Sequence, residues 1–522
     1  MNHPLTLAER LLRSARLHAS RPAVWLDGTH LSYEALFAQA AGVARRMNER
    51  LAPDAPVGIL CQRSFPALLG ILAAVLSGRP YVPLNPGFPK DRHALMIQAA
   101  KPDAIVYDWD TRDRASQLQP LLGGPGILIG PDAGDPLSLR DEGGTISPAP
   151  LPPERLPASD TALYLMFTSG TTGVPKGVRV LDRNVCAYLD GIGKIMQLTP
   201  EDRCSHLFDL SFDLSVHDLF ATWTEGAELF VLPKTRTMET VAFAREHELT
   251  TWFSVPSTAA FASRLGQVKP GAIPSLRLSL FCGEPLPVRL AREWAAAAPN
   301  AELWNLYGPT EATIALTAYR FCQDADLGNL VTVPLGRPLA GQQVSAVGQD
   351  GAEIEADGEG ELLLGGSQVT PGYINNPDAN ASRFFEDARH SVRTRWYRTG
   401  DLVTLSSTHG IVFRGRIDDQ VKINGYRVEL LEIDEALRHA AESQQVAALP
   451  WPVNETGTSD QIIAFICGSA VEPMEIRKRC RVSLPAYMVP RRIIPIEAMP
   501  LNASGKIDRR ALQDHLARAE SL

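Results

Sequence analysis

An apolar, partly aromatic run, Leu163–Phe167, breaks into residues 168–173, every one of them Thr, Ser or Gly, and closes on Pro175-Lys176-Gly177. The run suits a buried strand. The stretch after it cannot continue a sheet. Glycine removes side chains and permits positive φ, so backbone N–H groups can come close to a ligand. Thr168, Ser169, Thr171 and Thr172 add hydroxyl donors, Gly170 and Gly173 leave the backbone open, and Lys176 adds a positive charge. Donors and a cation on one loop suit a polyphosphate, although the same composition also makes an ordinary surface turn. The loop is not a Walker A loop, which closes on Gly-Lys-Ser/Thr, because Lys176 follows Pro175 and precedes Gly177.

Strand-like and helix-like runs alternate around this element. The runs at 55–61, 103–108, 227–233, 249–255, 276–283 and 301–306 read as strands, and those at 65–78 and 286–299 as helices. That rhythm predicts an α/β fold with layered, mixed or parallel sheets. In such sheets ligands sit beyond the carboxyl ends of strands. The 168–176 loop, Phe281-Cys282-Gly283-Glu284 and Asn305–Glu311 all lie at such ends. Residues 133–160, rich in Pro, Gly and Asp, read as a surface excursion. Beyond about residue 355 the pattern turns to short strands and small helices, with strands at 360–366, 410–416 and 420–430 and an amphipathic helix at 430–440. A domain boundary is expected near Arg416–Asp418, dividing a core of residues 1–416 from a small α+β domain of residues 417–522.

At 522 residues the chain is too long for one ordinary core. Its net charge of −8 argues against a nucleic-acid partner. Seven cysteines and 11 histidines form no C-x-x-C and no H-E-x-x-H spacing. The first twenty residues lack the apolar core of a signal peptide. The most apolar stretch, residues 67–78, is too short to span a bilayer. These features predict a cytoplasmic chain with no membrane partner.

Each remaining loop is ambiguous alone: Thr310 or Glu311 can cap a helix, and Lys506 can be a solvated tail residue. As an ordered set they resemble the adenylate-forming superfamily, which includes acyl- and aryl-CoA ligases, luciferases and non-ribosomal peptide synthetase adenylation domains. The set comprises residues 76–92, 166–178, 212–220, 281–288, 305–313, 360–374, 397–402, 415–434 and 505–509. The chain is most similar to stand-alone amino-acid adenylation enzymes and D-alanine–carrier protein ligases. The resemblance implies attack of a carboxylate on the α-phosphate of ATP with Mg²⁺ present, then transfer of the acyl group to a phosphopantetheine thiol. It places the phosphates on Thr168–Lys176 and Mg²⁺ on Glu311, with Thr310 near the α-phosphate. Tyr307 would stack on adenine and Asn305 bond its exocyclic amine, Gly283, Glu284 and Gly308 would also bind ATP, and Asp401 and Arg416 would lie at the ribose. Lys506 would bridge the carboxylate and the α-phosphate, neutralising repulsion between two anions. Asp418 would be the hinge, with Lys422 and Gly425 on the thiolation face. Two departures stand out: Ser504 where the family has Asn, and Asn85 where it commonly has Asp.

The resemblance also defines an acyl pocket of Asp213, Leu214, His217, Phe253, Leu280, Cys282, Leu306, Ile314 and Ala315. Asp213 would pair with a substrate ammonium, the alternative being a helix cap. The mostly apolar, bulky remainder implies a small neutral amino acid, such as alanine, glycine, serine or proline. His217 would bond a substrate hydroxyl or fill space. No condensation motif or carrier-domain serine motif follows, so the expected acceptor is a separate peptidyl or acyl carrier protein, with room for a small activator protein. The rivals are a D-alanine–carrier protein ligase for the cell envelope, an acyl- or aryl-CoA ligase and a non-catalytic nucleotide-binding module.

Overall fold

Burial follows the sequence pattern closely. Helix Phe65–Leu76 is apolar on every side, and all its residues from Pro66 to Leu76 are buried. Pro66 sits in its first turn, where the missing N–H costs no intrahelical bond. The computed structural model describes residues 5–133, 135–152, 160–170, 174–387, 394–454, 456, 458–501 and 507–520. The chain gathers into two compact units. The larger comprises Met1–Pro86, Ile97–Phe167 and Gly177–Gly415; the smaller comprises Gly87–Met96, Thr168–Lys176 and Arg416–Leu522.

The larger unit is α/β, as expected. One nine-stranded sheet runs in the order Arg337–Pro338, Thr317–Phe321, Glu302–Tyr307, Leu278–Phe281, Thr251–Ser254, Arg203–His206, Glu228–Val231, Pro22–Leu26, Thr29–Ser32. From Glu302–Tyr307 to Pro22–Leu26 every neighbouring pair is parallel. A second nine-stranded sheet is parallel from Ala162–Thr168 through Tyr81–Pro83, Val57–Leu60 and Ala104–Tyr107 to Ile127–Asp132. A third sheet is antiparallel and built around Glu359–Gly366 and Thr394–Ser406.

One expectation needs correction. Residues 133–160 are more than a surface excursion. Asp135–Asp141 pairs antiparallel with Ile127–Asp132, and Gly144–Thr145 folds back onto it. The physical reason is the short alternation Leu137-Ser138-Leu139-Arg140, which buries Leu139 and exposes Arg140. Proline and glycine on either side hide this strand from a compositional reading.

The strands Arg203–His206, Thr251–Ser254 and Leu278–Phe281 are adjacent and parallel, so their starts lie along one edge. Asp202, just before the first, ties these starts together. Its carboxylate accepts bonds from Arg277 Nε at 2.8 Å and Nη2 at 2.6 Å, from Thr250 Oγ1 at 2.7 Å and from Thr199 N at 2.8 Å. Thr250 and Arg277 each immediately precede one of the other two strands. Burial opposes the charge on Asp202, but the bonds from Arg277, Thr250 and the Thr199 N–H outweigh it and hold the carboxyl below the usual range.

The smaller unit contains a hairpin, Gln420–Ile423 and Tyr426–Glu429, closed in register at Ile423 and Tyr426. Asn424 (φ 50°) and Gly425 (φ 82°) form its two-residue turn. Two positive φ values with Asn-Gly are the signature of a type I′ turn. Helix Leu430–Ala441 follows, and the strands Val446–Pro450, Ile462–Cys467 and Arg492–Ile496 form a mixed sheet.

Asp202→Asn is expected to lower stability by about 2 kcal/mol, the scale of charge-assisted hydrogen bonds. A depressed native pKa stabilises above the unfolded value of 3.8 and is lost as pH falls. The difference in unfolding free energy between wild type and variant should therefore be steady from pH 5 to 7 and shrink below about pH 4, as measured by denaturant melts.

Candidate active site

The sheet edge opposite Asp202 carries the predicted pocket. Phe253 and Leu280 lie on neighbouring strands, Cys282 just beyond the second, and Leu306 on Glu302–Tyr307. Leu214 and His217 lie on helix Leu214–Thr224. Ile314 and Ala315 follow the short 3₁₀ turn Thr310–Ala312. All nine predicted pocket residues are buried. Leu214, Phe253, Leu280, Cys282, Leu306, Ile314 and Ala315 fall into one apolar cluster.

Asp213 stands at the start of its helix, yet its side chain makes no capping bond. Its Oδ2 instead accepts the Ile314 N–H at 3.2 Å. Thr313 and Ile314 both hold positive φ, 57° and 69°. This is a costly conformation for β-branched residues, and it persists only where surrounding bonds fix it. Here Gln368 fixes it. Its Nε2 donates to the carbonyls of Ala312, Thr313 and Ala315, at 3.3, 3.2 and 2.7 Å, and its own carbonyl accepts Thr313 Oγ1 at 2.6 Å. Gln368 is fully buried and was not singled out from sequence. Its signal, a lone Gln in a Gly/Ser/Thr-rich stretch, is not specific.

His217 lies one turn beyond Asp213. The hydroxyl of Tyr188, on helix Asp182–Met196, meets His217 Nδ1 at 2.6 Å. The ring packs on Phe253, with centroids 4.3 Å apart, and Phe253 in turn meets Phe208 edge-on at 5.0 Å. Burial drives the His217 pKa down to about 3, so the ring is neutral. Tyr188 and Phe208 are further residues absent from the sequence prediction. Nothing in the spacing of Tyr188 marks it, because it arrives from a separate helix.

Glu311 is 1% exposed and lies in the 3₁₀ turn that begins with Thr310. Tyr373 Oη donates to Glu311 Oε1 at 2.6 Å, and Thr370 N donates to the Glu311 carbonyl at 2.9 Å. Among the described residues no group of three or more His, Cys, Asp or Glu side chains could hold a metal. One buried carboxylate is compatible with Mg²⁺, which keeps several waters and takes one or two carboxylates beside substrate phosphates.

The Asn305 amide donates to the carbonyls of Val333 and Pro334, at 3.2 and 2.9 Å. Its Oδ1 is buried without a partner among the described residues. That orphaned acceptor fits an exocyclic amine donor. Tyr307 Oη donates to Asp401 Oδ2. Gly308 is needed for close approach, since a Cβ there would lie 2.7 Å from Ala315 Cα. Gly283 holds φ 90°. Glu284 Oε2 accepts Ser257 N at 2.7 Å, at the start of helix Pro256–Arg264, which gives it a structural task. Asn85 Nδ2 donates to Asp209 Oδ2 at 2.8 Å.

The other predicted residues belong to the smaller unit. Thr168 ends the strand Ala162–Thr168, and Lys176 opens the strand Lys176–Leu181. Ser169 Oγ donates to the Arg427 carbonyl at 2.8 Å and accepts Glu429 N at 3.1 Å. A Cβ on Gly170 would lie 1.9 Å from the Val174 carbonyl oxygen. Arg416 grips Asp418 with two bonds, Nε to Oδ1 at 2.7 Å and Nη2 to Oδ2 at 2.9 Å. Lys422 lies on the hairpin, and Gly425 makes its turn. Thr171, Thr172, Gly173, Ser504 and Lys506 lie outside the described residues.

A family model described as AMP-binding enzyme matches residues 11–374. Malpinin synthetase from Mortierella alpina is 34% identical over 94% of this chain, which spans only 6% of that protein. A D-alanine–D-alanyl carrier protein ligase from Lacticaseibacillus rhamnosus is 31% identical over 96% of this chain and 97% of its own length. Among solved structures, the Vibrio cholerae adenylation domain AlmE, in complex with glycyl-adenosine-5'-phosphate, superposes with a TM-score of 0.88 at 30% identity, covering 99% of both chains. No helix among the described residues is long and apolar enough to cross a membrane.

The neutral state of His217 predicts a specific acid lability. Its native pKa of about 3 lies below the unfolded value of 6.5. The unfolded chain therefore binds the proton first, and stability falls as pH drops below about 6.5, by up to about 1.4 kcal/mol per pH unit for this group. Replacing His217 with Asn should flatten that part of the stability–pH curve relative to wild type in chemical denaturation.

Proposed function

Because this chain belongs to the AMP-binding family of adenylate-forming enzymes, we propose that it activates a small neutral amino acid. The product is an aminoacyl-AMP, whose acyl group then passes to the phosphopantetheine thiol of a carrier protein. The observation that carries the amino-acid assignment is Asp213. It is a 7% exposed carboxylate at the start of its helix, its side chain makes no capping bond, and the other residues predicted for the pocket are apolar side chains and one neutral histidine. A substrate ammonium placed beside this carboxylate would form a charge-assisted pair with it in a low-dielectric setting. Plain carboxylic acids cannot supply that partner.

Size follows from the same set. Phe253, Leu280, Leu306, Ile314 and the Tyr188-anchored His217 occupy volume that a large substrate side chain would need. The glycyl adenylate held by the Vibrio cholerae relative, and D-alanine in the name of the Lacticaseibacillus relative, are both small. They support glycine, alanine or a substrate of similar size.

On the nucleotide side, Asn305 Oδ1 would accept from the adenine amine, Tyr307 would lie against the base, and Asp401 would accept the ribose hydroxyls. Bound Mg²⁺ would offset negative charge on the phosphates, with Glu311 as its protein ligand. Lys506 would neutralise charge between the attacking carboxylate and the α-phosphate. Arg416 and Asp418 mark the proposed hinge, where rotation would exchange the Lys506 face for the Lys422–Gly425 face.

Asp213→Ala is expected to cut amino-acid-dependent pyrophosphate–ATP exchange at least about 100-fold, the scale of losing one partner of a buried ion pair. ATP binding should stay within about twofold, which corresponds to about 0.4 kcal/mol. Unchanged discrimination between amino acids and their des-amino analogues in this variant would refute the ammonium pairing. Lys506→Ala should remove most exchange while ATP affinity is kept; retained exchange would refute its role.

A further inference from the structure

The smaller unit holds an internal carboxylate at the loop proposed for the phosphates. Glu432, 2% exposed on helix Leu430–Ala441, accepts the Gly170 N–H on Oε2 at 3.1 Å. Its Oε1 accepts a bond from Nη1 of Arg92, which is 4% exposed and packs over the Phe88 ring at 5.3 Å. Glu432 thus bridges a backbone N–H and a guanidinium, as a phosphate oxygen pair would. The bridge leaves donors unused. Arg92 Nε is buried with no partner among the described residues. A guanidinium has five N–H donors in a fixed fork, and a planar carboxylate reaching it through one oxygen cannot satisfy them. A terminal phosphate, with three oxygens in a tetrahedron, can reach Gly170 N and more of that fork together.

We infer that Arg92 is a polyphosphate-binding residue, sharing one anion site with the Gly170 N–H, and that Glu432 is the built-in occupant which ATP must displace. The inference rests on the ATP assignment above. Charge accounts for the exchange. Burial pushes the Glu432 carboxyl up despite Arg92 and the Gly170 N–H, so it is a poorly solvated anion held by few bonds. A triphosphate brings more charge to the same donors. When Glu432 leaves, Arg92 would be a buried cation without a counter-ion, a costly state that a phosphate relieves. When pyrophosphate departs, Glu432 returns and restores the pair. The anion site thus remains neutralised at both stages.

The test is calorimetric titration of the full-length chain with ATP, inorganic tripolyphosphate and AMP, for wild type, Glu432→Gln, and the doubly neutral Arg92→Gln/Glu432→Gln. The double variant avoids stranding a buried charge. Glu432→Gln should bind ATP and tripolyphosphate roughly tenfold more tightly, about one charge-assisted hydrogen bond. The double variant should lose that gain and bind both roughly tenfold more weakly than Glu432→Gln. AMP, which lacks the β- and γ-phosphates, should bind all three proteins alike. Equal ATP affinity in the single and double variants would make Arg92 only the partner of Glu432 and overturn the inference. Equal shifts for ATP and AMP would assign the effect to the fold and overturn it too. Wild-type protein that binds none of the three would overturn the ATP assignment itself and the inference with it.

Discussion

A single carboxylate sets the register on which the pocket depends. Asp202 takes hydrogen bonds from Thr250 and from Arg277, so the starts of three parallel strands are fixed at one point. Parallel strands rise about 3.3 Å per residue, and a four-residue strand places its far end within a narrow range. Phe253, Leu280 and Cys282 are therefore delivered to the opposite edge in fixed relation to one another. The helix carrying Asp213 and His217 follows the first of these strands, and Ile314 closes the group by giving its N–H to Asp213.

The second constraint is strain. Thr313 and Ile314 adopt backbone angles that β-branched residues avoid. The bonds from Gln368 to three consecutive-region carbonyls hold them there. Without that support the Ile314 N–H would not be held toward Asp213. In the proposed reading this carboxylate, set among apolar residues, would separate amino acids from plain acids, because only an amino acid brings an ammonium to pair with it.

Much of this was legible in the sequence, and the limits have physical causes. The parallel strands announce themselves as short apolar runs, and Phe65–Leu76 as a helix apolar on all faces. The pocket residues were found through the family resemblance, which carries them over position by position. The strand Asp135–Asp141 was not, since a short antiparallel strand with one buried leucine carries a weak periodic signal among prolines and glycines. Tyr188, Gln368 and Phe208 were not found either. Each acts by reaching a residue distant in the chain, and neither spacing nor composition encodes that contact. The capping alternative for Asp213 could be decided only from side-chain geometry. Gly425, expected on the thiolation face, also has a backbone task as the second residue of a type I′ turn.

The central claim is that a buried carboxylate at position 213 makes this family member an amino-acid-activating enzyme. Its most direct test is pyrophosphate–ATP exchange with matched pairs of substrates: glycine against acetate, each enantiomer of alanine against propionate, and serine and proline alongside. The account predicts strong exchange with one small amino acid and background exchange with its des-amino partner. Equal or greater exchange with acetate or propionate would contradict it and place the chain among ligases of simple carboxylic acids.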